Sequence, residues 1–240
     1  MSPALLIVVG FLFILLMSMV LHEYAHGYVA NLCGDYTAEA AGRLTLNPLK
    51  HIDLFMTILL PVALLVSGSS FIFGGAKPVP VNPYNFRRLR LDSRLVSAAG
   101  VVTNLTIAVG LAIVLHLTLR LGIFTVTPGN PTETSPGVIV LGMGIIFNLI
   151  LFAFNLVPIP PLDGSRILRS YLPAHMEAIF NMLDPYGIII IFILFAWSDT
   201  FSMIVGAVVG IFWHYVLLLD WDYIDLSMEG FRLAWRSLIS

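Results

Sequence analysis

The sequence predicts an all-α polytopic membrane protein. It is expected to have about five to six transmembrane helices, a re-entrant segment and a short β element near the candidate active site. Three observations carry this class. Hydrophobic residues make up 58% of the 240-residue chain and charged residues only 11%. Mean hydropathy is +0.94, far above that of a soluble domain. Several apolar runs approach the length of a bilayer crossing, and the first of them encloses His22-Glu23-Tyr-Ala-His26-Gly27. There is no room for a soluble domain of ordinary size. We therefore read residues 1–240 as a single membrane-embedded domain, with a core over about 3–185 and C-terminal helices over 186–240.

The first span is placed at about Pro3–Leu32 and is stopped by Cys33-Gly34-Asp35. It lacks the cationic start of a secretory signal, so it reads as a retained span. Residues 36–50 contain Gly42, Asn47-Pro48 and the alternating Arg43-Leu-Thr-Leu46, which read as a turn and a strand or two. The apolar run 52–73 is broken by Pro61 and by Ser67-Gly-Ser-Ser70, so it either spans the membrane or dips in and returns; the distribution of positive charge favours re-entry. Residues 76–94 hold Pro78, Pro80 and Pro83, which deny helix and favour extended chain. Span two is placed at about Leu95–Leu121 and span three at about Val138–Val157. Residues 165–185 read as a short interfacial helical stretch. Spans four and five fill about Tyr186–Trp197 and Phe201–Leu219. In the tail, Ile224, Met228, Phe231, Trp235 and Leu238 recur at helical spacing, as in an amphipathic helix lying on the membrane surface.

An ionisable residue at membrane depth is costly and is by default functional. On a helix, His22 and His26 lie one turn apart on one face, with Glu23 beside them. This is the HExxH arrangement, in which two imidazoles bind zinc and the glutamate is the general base. A catalytic zinc takes about three protein ligands and keeps one open position. Asp163 is the best third candidate, because it follows Pro158-Ile-Pro-Pro161. That segment is non-helical, and such backbone is tolerated in a membrane only when buried in protein or lining a wet cavity. His51, Asp53 and Glu177 are the alternatives. His116 and His214 read as packing residues, and Cys33 as inert.

Composition also excludes some classes. A net charge of −2 gives no electrostatic case for nucleic acid. The single cysteine, Cys33, rules out an intrachain disulfide and a cysteine-based zinc site. If 52–73 re-enters and five segments cross, eleven of the twelve Lys and Arg residues fall on one side, with only Arg120 on the other. Positive residues mark the cytoplasmic face. This puts the tail and the second half of span one in or towards the cytoplasm, and the loop 122–137 outside. The transporter alternative would need polar residues along a whole transmembrane path, and the outer halves of these spans are nearly bare of them. A catalytically dead scaffold would have no need of Glu23 beside two histidines.

HEYAHG in the first span, AAGVVTN at Ala98–Asn104 and NLVPIPPLDG at Asn155–Gly164 together resemble the site-2 protease family of intramembrane zinc metalloproteases. The branch resembled is the compact bacterial type without a PDZ domain. GRLTLNPLKHID and AKPVPVNPYNF fit it too, and the likeness covers about residues 10–185. HExxH alone is a common pattern, whereas HExxH followed by the LDG motif in a later apolar span is specific. The resemblance implies one Zn2+ per chain held by His22, His26 and Asp163, with Glu23 catalytic. It implies that Asn104 and Asn155 hold the substrate backbone or the site. It also implies, as partners, the lipid bilayer and a transmembrane segment of a membrane-protein substrate, in the inner (plasma) membrane of a bacterial-type cell. One departure is visible: Gly100 is followed by Val101, where the family often has proline.

Overall fold

The computed structural model describes residues 2–59, 63, 66, 74–197, 199–220 and 222–239. The expected re-entry over 52–73 lies largely outside these residues. Among the described residues every regular element is helical. They are α1 (Pro3–Leu32), α2 (Thr37–Ala40), α3 (Leu89–Arg120), α4 (Pro136–Asn155), α5 (Asp163–Arg169), α6 (Ala174–Leu183), α7 (Gly187–Trp197), α8 (Asp199–Ile211) and α9 (Asp222–Ile239). Short 3₁₀ or π turns cover Pro48–His51, Leu54–Leu59, Pro83–Asn85, Asp184–Tyr186 and Phe212–Val216.

Three helices among the described residues are long and apolar enough to cross a membrane: α1, α3 and α4, with 30, 32 and 20 residues. Three such helices mark the chain as an integral membrane protein. α7 and α8 have 11 and 13 residues. At about 1.5 Å per residue, neither by itself spans a hydrocarbon core of about 30 Å. The described residues therefore do not reach the expected five to six spans.

The chain packs as two compact units. The first comprises residues 1–18, 104–153 and 203–240, and the second 19–103 and 154–202. In the first unit, Ile7, Phe11, Leu115, Ile139, Ile145, Leu149 and Trp213 are the heart of the core. Trp213 is fully buried and satisfies its indole N–H on the Asp220 carbonyl at 2.9 Å. Phe11 meets the edges of Phe147 and Phe231, with ring centroids 6.0 and 4.9 Å away. A polar seam runs through this apolar interior. Asn104 Nδ2 donates to Asn148 Oδ1 at 3.1 Å, and Asn148 Nδ2 donates to Ser18 Oγ at 2.9 Å. All three residues are buried.

The tail departs from expectation. In α9 it is the small residues Ser227, Gly230 and Ala234, with Leu226, that are buried. Met228 and Leu238, from the expected apolar stripe, are 49% and 42% exposed. Small side chains let helix backbones approach closely. A Cβ on Gly142 would collide with Ser227 Oγ, and one on Gly230 would lie 2.5 Å from Ile139 Cδ1. Hence α9 docks on α4, antiparallel to its start. His116 Nε2 donates to the Leu217 carbonyl at 3.0 Å, and Asp220, Asp222, Tyr223 and Leu226 share a small cavity with Val126, Pro128 and Gly129. The tail therefore lies at the same end of this unit as the loop 122–135, not opposite it. Arg232 and Arg236 thus share their unit with Arg120.

In the second unit α3 begins six residues before the expected start of span two. The Asp92 carboxylate captures the Arg88 N–H at 2.7 Å and so extends the helix into the basic run. The β element expected around 43–46 is absent from the described residues. The chain facing it, 76–82, has Pro78 and Pro80, which have no N–H to give a ladder. Side chains do the joining instead. Arg43 Nη2 donates to the Lys77 carbonyl at 2.8 Å, and His51 Nε2 donates to the Thr45 carbonyl at 2.8 Å.

Candidate metal centre

The second unit brings together two segments that sequence separates by more than a hundred residues. α1 carries His22 and His26 one turn apart. The chain after α4 turns through Leu156–Leu162, with a cis bond between Pro160 and Pro161, and delivers Asp163 at the start of α5. Gly164 follows because a Cβ there would collide with the Leu156 carbonyl.

His26 Nε2 lies 3.1 Å from His22 Nε2 and 3.2 Å from Asp163 Oδ2, and His22 Nε2 lies 3.3 Å from the same oxygen. The side chains of His22, His26 and Asp163 are only 11%, 9% and 7% exposed. Bonds of about 2.0–2.1 Å from a tetrahedral ion place its ligands about 3.3–3.4 Å apart, which these separations nearly match. Asp163 Oδ2 is buried without a hydrogen-bond partner. An orphaned carboxylate oxygen facing two imidazole nitrogens is a set of donors awaiting a cation. Among the described residues this is the group of His, Cys, Asp and Glu side chains close enough to hold a metal.

Two features around the triad were not evident in the sequence. His26 Nδ1 donates to the Val96 carbonyl on α3 at 2.7 Å. A carbonyl only accepts, so this bond places the proton on Nδ1 and leaves Nε2 as the lone pair for a metal. Gly100, one turn further along α3, leaves the space over the ligand nitrogens open. A Cβ there would collide with His26 Nε2 and lie 2.5 and 2.7 Å from His22 Cε1 and Nε2. Gly100 itself is the sequence signal of this arrangement, since the Val96 carbonyl has none.

Glu23 lies on the partly exposed flank of α1, where its Oε2 accepts a hydrogen bond from the Val79 N–H at 2.7 Å. The strap carrying Val79 is pinned at its far end by Asp35. That buried carboxylate accepts from Asn82 N at 2.7 Å, from Asn85 Nδ2 at 2.8 Å, and from Thr37 through both its N–H and its hydroxyl. Burial alone would push the Asp35 carboxyl up, but these hydrogen bonds outweigh it and hold the group below its ordinary range.

His51, Asp53 and Glu177 are not members of this group. His51 is buried and bonded to the Thr45 carbonyl. Asp53 accepts from the Phe55 N–H, capping the following π turn, and Glu177 is exposed on α6. Asn104 belongs to the first unit, on Asn148, and Asn155 is the last residue of α4.

Comparison with known proteins agrees with this site. Residues 10–196 match the description "Peptidase family M50". Two relatives are named "Putative zinc metalloprotease": YwhC of Bacillus subtilis (strain 168) and Rip2 of Mycolicibacterium smegmatis (strain ATCC 700084 / mc(2)155). YwhC is 42% identical over 184 residues, covering 75% of this chain and 77% of its own. Rip2 is 32% identical over 179 residues, covering 75% of this chain and 63% of its own. No solved structure gives a significant match. With an M50 match over most of its length and a YwhC-like sequence, the chain belongs to peptidase family M50, the site-2 protease family of membrane zinc metalloproteases.

Proposed function

We propose that this zinc metalloprotease hydrolyses peptide bonds within or beside transmembrane segments of other membrane proteins. The observation that carries the reading is the convergence of His22, His26 and Asp163 within 3.3 Å of one another, next to Glu23 on an apolar 30-residue helix. His22, His26 and Asp163 hold one Zn2+ per chain. When bound, zinc supplies Lewis acidity, lowering the pKa of water to about 7 and polarising a carbonyl. Glu23 takes a proton from the attacking water and returns it to the leaving amine. The Val96 carbonyl fixes the His26 tautomer, and Gly100 leaves room for the reacting groups. Asn155 offers its amide to the backbone of an unwound substrate. The bond from Asn104 to Asn148 supports a packing role for that residue. The substrate helix and the surrounding bilayer are the partners. Basic residues on the strap and the start of α3 favour an active site towards the cytoplasm in a bacterial-type inner membrane. α7 and α8 contribute to a membrane region of five to six spans within a single domain, as the hydropathy of the sequence suggests.

Two measurements test this reading. Purified wild type should carry about one zinc, lost in His26→Ala and in Asp163→Ala. Glu23→Gln should keep the zinc and lose cleavage of a single-span substrate. A wild type that stays zinc-free after loading overturns the proposal. Cleavage surviving in Glu23→Gln removes the base assignment.

A further inference from the structure

We infer that the Val79 main-chain N–H is a positioning donor that fixes the orientation of the Glu23 carboxylate; the catalytic half of this inference rests on the base role proposed above. Val79 is the middle residue of Pro78-Val79-Pro80. Neither flanking proline has an N–H, and each holds its own φ near −65°. A proline also confines the residue before it to extended backbone. The motif therefore presents a single donor on a stiff rod.

That rod is tied down on both sides of Val79. Lys77 N donates to the His51 carbonyl at 2.8 Å, and Asn82 N donates to Asp35 Oδ2 at 2.7 Å. Arg43 Nη2 grips the Lys77 carbonyl at 2.8 Å. Val79 itself is 8% exposed and packs on Gly27, where an added Cβ would lie 2.9 Å from Val79 Cγ1. The glycine after HExxH thus admits the strap to α1, and the strap delivers its N–H to Glu23 Oε2 at 2.7 Å. Hydrogen bonds to a carboxylate are stronger than neutral ones. A long side chain is thereby held in one rotamer, and Oε1 becomes the oxygen that handles the proton.

The first test needs neither metal nor substrate. Because Pro78 and Pro80 have no amide and the first residue of a peptide loses its label, the fragment 77–80 reports exchange at Val79 alone. In metal-free protein, Glu23→Ala should speed exchange there at least tenfold. Glu23→Gln keeps an acceptor oxygen and should hold exchange near wild type. The Asn82 amide should be unaffected by either change. Equal Val79 exchange in wild type and Glu23→Ala overturns the contact. Faster exchange at both Val79 and Asn82 makes Glu23 a strap anchor and overturns the positioning role.

The kinetic test compares Val79→Pro, which deletes the N–H, with Val79→Ala, which keeps it and trims the side chain. A labelled single-span peptide of leucine and alanine with a central Gly-Ser pair serves as probe, in the same micelles. Val79→Pro should retain zinc and show kcat at least tenfold below that of Val79→Ala, with KM within threefold. An amide-to-ester replacement at position 79 should lower kcat in the same way, which covers the case of a misfolded proline variant. Equal kcat in the ester variant and wild type overturns the positioning role. Cleavage by Glu23→Gln would instead remove the base assignment and leave the exchange result standing.

Discussion

His26 Nδ1 donates to the carbonyl of Val96, 2.7 Å away and seventy residues further along the chain. This bond ties the His22–His26 turn of α1 to the start of α3, and it places Gly100 over the two Nε2 atoms that could hold a metal. Gly100→Ala puts a methyl against His26 Nε2 and 2.7 Å from His22 Nε2, side-chain atoms of two largely buried imidazoles on α1, one of them held by the Val96 carbonyl, so they cannot retreat freely. Zinc per chain should fall by at least tenfold in this variant, while its helix content stays at the wild-type level. Retained zinc with normal affinity would mean that α3 yields easily and that the glycine serves another purpose.

The Asp35 clasp has a pH signature. Its hydrogen bonds hold the folded carboxyl below the ordinary aspartate value of about 3.9. A depressed folded pKa gives stability that is fully present above the unfolded value and is lost as pH falls through the folded one. Asp35→Asn puts an NH2 donor in place of one of the two oxygens, each of which now accepts at least one N–H, and should lower the unfolding free energy by about 1–3 kcal/mol at neutral pH. The gap between variant and wild type should shrink below about pH 4, read as the unfolding midpoint in detergent. A gap independent of pH would show that the charge is not what holds the strap.

The Ser18–Asn148–Asn104 seam is a helix contact, and its loss should be felt as stability. Asn104→Ala leaves Asn148 Oδ1 without the donor it has at 3.1 Å. Interhelical hydrogen bonds in membranes are worth about 0.6 kcal/mol on average, so a loss of about 0.5–1.5 kcal/mol is expected. Zinc content and KM should change less than twofold. A large rise in KM at unchanged stability would return Asn104 to the substrate.

The docking of α9 depends on two positions without side chains. Gly142→Val drives two methyls into Ser227, and overpacking of this kind costs about 1–3 kcal/mol. A cysteine placed at Ala234, 6% exposed in the structure, should become reactive to a maleimide only when combined with Gly142→Val. Equal labelling in both backgrounds would mean that α9 is not held by this contact.

Much of the membrane framework is set by local chemistry. The first span reads as Pro3–Leu32 and is observed so, because an uninterrupted apolar run leaves the backbone no partner but itself. The third span is within two residues of its expected ends. The HExxH register is likewise local, since a helix puts residues i and i+4 on one face whatever surrounds them. The choice of Asp163 over His51, Asp53 and Glu177 as the triad's third member is a different matter. It depends on how the turn through Pro158–Pro161 aims a segment more than a hundred residues away.

Partner choice across distance is where the sequence alone falls short. The run Arg43–Leu46 has a strand-like pattern, yet the segment beside it is proline-rich and cannot complete a ladder. The tail has a clear apolar stripe, yet the glycine and serine face of α9 makes the tighter contact. The Val96 carbonyl and the Val79 N–H leave no trace in side-chain identity, because the backbone of every residue but proline offers the same donor and acceptor. The sequence by itself determined the helical membrane class and the facing of His22 and His26, since both follow from periodicity and hydropathy along one segment. Only the tertiary structure decided that Asp163 meets them, that Val96 and Val79 orient His26 and Glu23, and that α9 turns back on α4. Those are contacts between distant segments, and close approach and hydrogen-bond geometry select them.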